Sequence, residues 1–118
     1  MNDLSTKFSS LEPNAKAMFL ARVVHMATIA AREAYTSCAA HPERSYDRPE
    51  GIILRDANEF VHRVAGYVPQ VLDRTETPGQ DQSVLAMIEN YYRTLGLAPL
   101  LADWLTGPDS PESSQLPR

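Results

Sequence analysis

Apolar side chains recur along the first half of the chain at three- and four-residue steps, the period of a helix with one buried face. Over residues 11–37, Phe19, Leu20, Val23, Val24, Met26, Ala27, Ala30, Ala31 and Ala34 fall on an arc of roughly half the helical circumference. So wide an arc predicts a helix that touches more than one neighbour. Its alanines favour close approach, because a short side chain leaves two backbones nearer than a leucine would. Ser9 or Ser10 offers an N-cap, and Pro13 is tolerated in the first turn.

The period lapses over residues 38–51, where two prolines and several charges read as a loop. Asp47 or Arg48, then Pro49 and Glu50, give the usual opening order of a helix: a polar cap, a proline, an acid near the positive end of the dipole. Ile53, Ala57, Phe60, Val61, Val64, Tyr67 and Val68 line one side of this second helix. Pro69 removes an amide donor, so the helix either kinks or stops near residues 66–68, with residues 70–74 as a continuation or a separate turn.

Residues 75–80, containing Pro78-Gly79, form a break. Asp81 is placed to cap a third helix that carries Val84, Leu85, Ile88, Tyr91, Tyr92 and Leu95 on one side, with Gly96 as its left-handed stop. A short fourth helix opens at Ala98-Pro99, ends at Gly107-Pro108 and presents Leu100, Leu101, Trp104 and Leu105. Residues 108–118 offer little to bury and read as a flexible, disordered tail. The expectation is one domain over residues 1–107: an all-α bundle of four helices, five if Pro69 divides the second, mostly antiparallel because the connections are short.

Composition narrows the partners. A chain of 118 residues fits one domain, and a net charge of -4 excludes a surface built throughout to grip nucleic acid or anionic lipid. No window has the length and apolarity of a membrane span, and residues 1–10 lack the charged-then-apolar order of a secretory signal, so a cytoplasmic location is expected. Cys38 is the single cysteine, which excludes an intramolecular disulfide and a multi-thiolate metal site. Nine arginines against two lysines, with abundant alanine, fit a bacterial chain from a GC-rich genome.

Candidate chemistry concentrates on the second helix. Arg55, Glu59 and His62 fall within about 60° of one another, opposite the stripe through Phe60 and Val64. In the plain reading this is a solvated face with an Arg55–Glu59 pair worth a few tenths of a kcal/mol. Arg55 and His62 also have the R-x(4–6)-H spacing, with polar Asp56 beside the arginine, and this resembles the HEPN families of small all-helical proteins. The resemblance implies metal-independent RNA cleavage at a dimer interface, with His62 as the proton-transfer group, Arg55 as the phosphate clamp and Asp56 in support. It covers eight residues of the chain, and Val64 stands where several of those families have a tyrosine.

Glu59 and His62 make one E-x-x-H pair, but a di-iron bundle needs a second copy that this chain lacks, so neither metal nor other cofactor is expected. His25, near Arg32 and Thr28, sits on the narrow polar face of the first helix, and His41 lies in the loop. Cys38 reads as a small buried hydrophobe, while Tyr91, Tyr92 and Trp104 read as packing. Glycine-rich phosphate loops and nucleophile elbows are absent. Two functions are consistent with this pattern. The first is a non-catalytic protein that uses the faces of the first two helices to bind itself, as a homodimer, or a protein partner. The second is an RNA-cleaving or toxin-related domain centred on Arg55 and His62.

Overall fold

A computed structural model describes residues 3–44 and 48–106. Among these the chain forms α1 (Asp3–Ser9), α2 (Pro13–Ala40), a 3-10 turn (Pro42–Arg44), α3 (Pro49–Asp73), α4 (Gln80–Leu95) and α5 (Ala98–Thr106), with no strand. The fold is the all-α bundle that the apolar period predicts, with five helices. The fifth does not come from Pro69, because α3 runs unbroken through that residue. Pro69 is exposed, and so is Ala65, whose carbonyl loses the amide that would have bonded it, so solvent can satisfy that oxygen. The added helix is α1. Its seven residues, with Leu4 and Phe8 as the large apolar side chains, are too few to show a period.

Helix α2 is 28 residues long, about 42 Å, whereas the 16 residues of α4 span about 24 Å. Helices α2 and α3 form a long antiparallel hairpin and share the most extensive helix–helix contact. Near its closed end Tyr35, Cys38, Gly51 and Leu54 line a common hollow. At its open end Lys16 and Tyr67 meet on Asp81. Helix α4 lies antiparallel to α3 and parallel to α2: its Asp81 joins Tyr67 and Lys16, its Tyr91 reaches Ile53, and its Tyr92 reaches Val23. Helices α1 and α5 pack on α4 and on each other at the open end.

The core is an aromatic file. Phe8 meets Phe19 at 5.5 Å, Phe19 meets Trp104 at 6.5 Å, Trp104 meets Tyr92 at 5.9 Å, and Phe60 stacks on Tyr91 at 4.1 Å. Such rings contribute large apolar area, and their tilted and offset contacts add to it. The buried Tyr92 hydroxyl donates to the Val23 carbonyl at 2.7 Å, and the Tyr91 hydroxyl donates to the Ile53 carbonyl at 3.1 Å, so neither phenol is left without a partner.

Helix ends differ from the expected capping in three places. The residue before α2 is Glu12, not Ser9 or Ser10, and it makes no side-chain cap. Arg48 precedes α3 without capping it and instead pairs with Glu50 at 3.3 Å. Gly79, at φ 82°, precedes α4, while Asp81 enters the first turn and points inward, because a buried ammonium binds a carboxylate more strongly than an amide does. Gly96, at φ 72°, makes the expected left-handed stop, and the Leu97 amide bonds the Tyr92 carbonyl at 3.0 Å. Asp47, the end of the short helix at Gly107-Pro108 and the tail over residues 108–118 lie outside the described residues.

Candidate interaction surface

Arg55, Glu59 and His62 are all exposed on one side of α3, as the helical period requires. The expected Arg55–Glu59 pair does not form. Arg55 Nε lies 3.3 Å from Asp56 Oδ1, and Glu59 Oε1 lies 2.7 Å from Arg63 Nη2. An arginine four residues on stands one turn above Glu59 and lets its guanidinium meet the carboxylate directly. Both pairs sit in solvent and contribute at most a few tenths of a kcal/mol. Asp56, Glu59 and Arg63 border a groove of about 590 Å³ between α3 and α4, floored by Phe60, Met87 and Tyr91. Arg55 instead borders a hollow of about 360 Å³ at the closed end of the hairpin, beside Tyr35, Cys38 and Leu54. His62 lines neither. The three side chains share a side of the helix but neither of these hollows.

The other candidates occupy plainer settings. His25 is exposed, and His41 is exposed with Glu43 3.9 Å away. Cys38 is buried, in keeping with a packing role. Tyr91, Tyr92 and Trp104 are buried, the first also flooring the α3–α4 groove. Among the described residues no three His, Cys, Asp or Glu side chains converge as a metal site would require, and no helix is long and apolar enough to cross a membrane.

The strongest electrostatic feature lies elsewhere. Lys16 is 8% exposed, its Nζ sits 2.8 Å from Asp81 Oδ2 and 3.6 Å from Glu76 Oε2, and the Tyr67 hydroxyl donates to Asp81 Oδ1. The ammonium also stands 5.6 Å from the centre of the Phe8 ring. Burial pushes the Asp81 carboxyl up, but the bonds from Lys16 and Tyr67 more than offset this and hold it below the ordinary carboxylate range. Burial, reinforced by Asp81, raises the Tyr67 phenol well above its usual value, so it stays a donor. This cluster ties α1, α2, α3 and α4 together at the open end. One sign of it stands in the sequence: Lys16 falls in register with Leu20, Val23 and Ala27, so a lysine occupies the apolar arc of α2.

The outer face of the α2–α3 hairpin, turned away from α4, has a different character. On α2, Ala17, Ala21, Val24, Thr28, Ala31 and Tyr35 repeat at alternating four- and three-residue steps. On α3, Leu54, Asn58, Val61, Ala65, Val68 and Leu72 do the same. Val24, Ala31, Val61 and Val68 are half-buried in the seam. Tyr35 is 63% exposed, Leu72 48% and Leu54 36%. None of the twelve is charged. Met18, 49% exposed, extends the apolar surface at one edge, and Arg32 and His25 border it along α2. No family model, no curated protein and no solved structure matches this chain.

Proposed function

We propose that this is a non-catalytic interaction protein of the bacterial cytoplasm whose working surface is the outer face of the α2–α3 hairpin. One observation carries the reading: two uncharged stripes at heptad steps lie side by side on an exposed seam. A solvated helix ordinarily carries charge there, and heptad apolar spacing is the pattern by which helices pack into one another. A single cysteine, Cys38, suits a reducing compartment. A photoreactive side chain placed at Ala65 tests the surface inside cells, with the same probe at Asn90, in the α3–α4 groove, as control. A discrete adduct from position 65, whether with this chain or another protein, and none from position 90 is the expected outcome. Equal or absent adducts at both positions refute the working surface.

The RNA-cleaving reading draws support from a narrower fact, the exposure of Arg55 and His62 on one side of α3. A histidine can shuttle protons near neutral pH, and an arginine fork matches a phosphate. In that reading, purified protein degrades RNA without metal and His62→Ala abolishes the cleavage while leaving stability within about 0.5 kcal/mol. An inert wild type across pH and salt eliminates it.

A further inference from the structure

We propose that α1 is a detachable strap: the segment Asp3–Ser9 lifts from α4 and α5 as one piece while α2, α3, α4 and α5 stay folded, and it bares an apolar slot beside Phe19 that keeps the shape to receive it again. This device sits at the open end and is independent of the outer face of the hairpin.

The hold on α1 is concentrated in one side chain. Phe8 is fully buried against Phe19, under the Lys16 ammonium, whereas Leu4 is only partly buried. A helix of seven residues does not sustain itself in water, so once Phe8 leaves its place no intrinsic stability keeps the rest seated.

The closed position also carries a fault. Ser5 Oγ is enclosed when α1 is seated and has no hydrogen-bond partner among the described residues. A hydroxyl taken out of water without a partner weakens the state that buries it. Lifting α1 returns Ser5 to water, so this residue favours the open position over the closed one.

The bonds that knit the remaining helices at this end do not pass through α1. Lys16 of α2 is held by Asp81 of α4 and by Glu76, and Tyr67 of α3 donates to the same Asp81. Tyr92 of α4 donates to the Val23 carbonyl of α2, and Trp104 of α5 lies against Phe19 and Tyr92. Ser9, at the end of α1, adds only the smallest of the interactions that hold the Asp81 carboxyl low, so its departure leaves the ion pair standing. Leu11 is 6% exposed and stays in the core, and Pro13 opens α2 without needing an amide partner. The hinge therefore falls at the exposed Ser10, and opening does not fray α2.

Hydrogen exchange of the full chain, read residue by residue in low concentrations of urea, tests the strap. The amides of Phe8, Ser9 and Ser10 are expected to exchange at least about 100-fold faster than those of Leu20 and Ile88 and without their urea dependence, the mark of a local opening. Ser5→Ala is expected to slow exchange in α1 by about fivefold or more beyond the effect of Thr6→Ala. Thr6 is exposed, so its replacement corrects for the better helix propensity of alanine without removing a buried hydroxyl. Amides of α1 that open only together with Leu20 and Ile88, at one shared urea slope, overturn the strap. Equal effects of Ser5→Ala and Thr6→Ala overturn Ser5 as the fault that loosens it.

Discussion

Lys16 and Asp81 illustrate how a single charged side chain can be both a cost and a fastener. Each loses hydration on burial, and only their mutual contact, with Tyr67 and Glu76 around it, compensates. Lys16→Met leaves Asp81 half-enclosed beside a phenol, and a stability loss of about 3 kcal/mol in urea unfolding is expected. The pH dependence follows from the direction of the Asp81 shift. Its carboxyl is held low when folded, so its contribution is present above the unfolded value of about 3.9 and is lost as pH falls through the folded one. In Lys16→Met burial weighs more heavily against the charged carboxyl, so the Asp81 part of the acid limb shrinks and the variant's stability deficit narrows as pH falls below about 4. An unchanged limb would mean that Lys16 does not set the Asp81 carboxyl. At the end of α3, Arg74 adopts φ 59° and ψ 40°, a left-handed conformation that glycine takes without strain. Arg74→Gly is expected to raise stability by about 1 kcal/mol with no change in the urea slope. The sequence displays Lys16 on an apolar arc, but it does not reveal that Asp81 turns inward: a residue type common at caps meets its stronger partner 65 positions away.

At the scale of elements, α2 through α5 are legible because each carries enough apolar positions to show a period, and Gly96 punctuates the chain as expected. Two features escape that logic. Pro69 is compatible with a straight run or a break, and the choice depends on whether the freed carbonyl of Ala65 faces water, which only packing decides. Helix α1 is too short to hold itself in water and exists by docking. Phe8, with no exposed surface against Phe19 and under the Lys16 ammonium, is its anchor. Phe8→Ala should therefore cost about 3–5 kcal/mol and release the α1 amides to rapid hydrogen exchange, while the closed end of the hairpin keeps its protection. Slow exchange throughout residues 3–9 in that variant would show that something else holds α1. The candidate site is legible to the same degree. Periodicity puts Arg55, Glu59 and His62 on one side, yet ion-pair choice is local, and Asp56 and Arg63 capture the first two.

The whole molecule is elongated, 50 × 31 × 26 Å, because α2 and α3 outrun α4. At the open end five helices converge on the aromatic file, whereas the far turns of α2 lean on α3 and the 3-10 turn. Trp104 is the single tryptophan of the chain, and it lies against Phe19 and Tyr92 with the Arg22 guanidinium 5.5 Å away. Its ultraviolet emission thus registers one pole of an elongated particle and is blind to the other. Heating followed simultaneously by that glow and by backbone ellipticity would separate a molecule that melts in one stroke from one that unzips from its tip, without any dye attached.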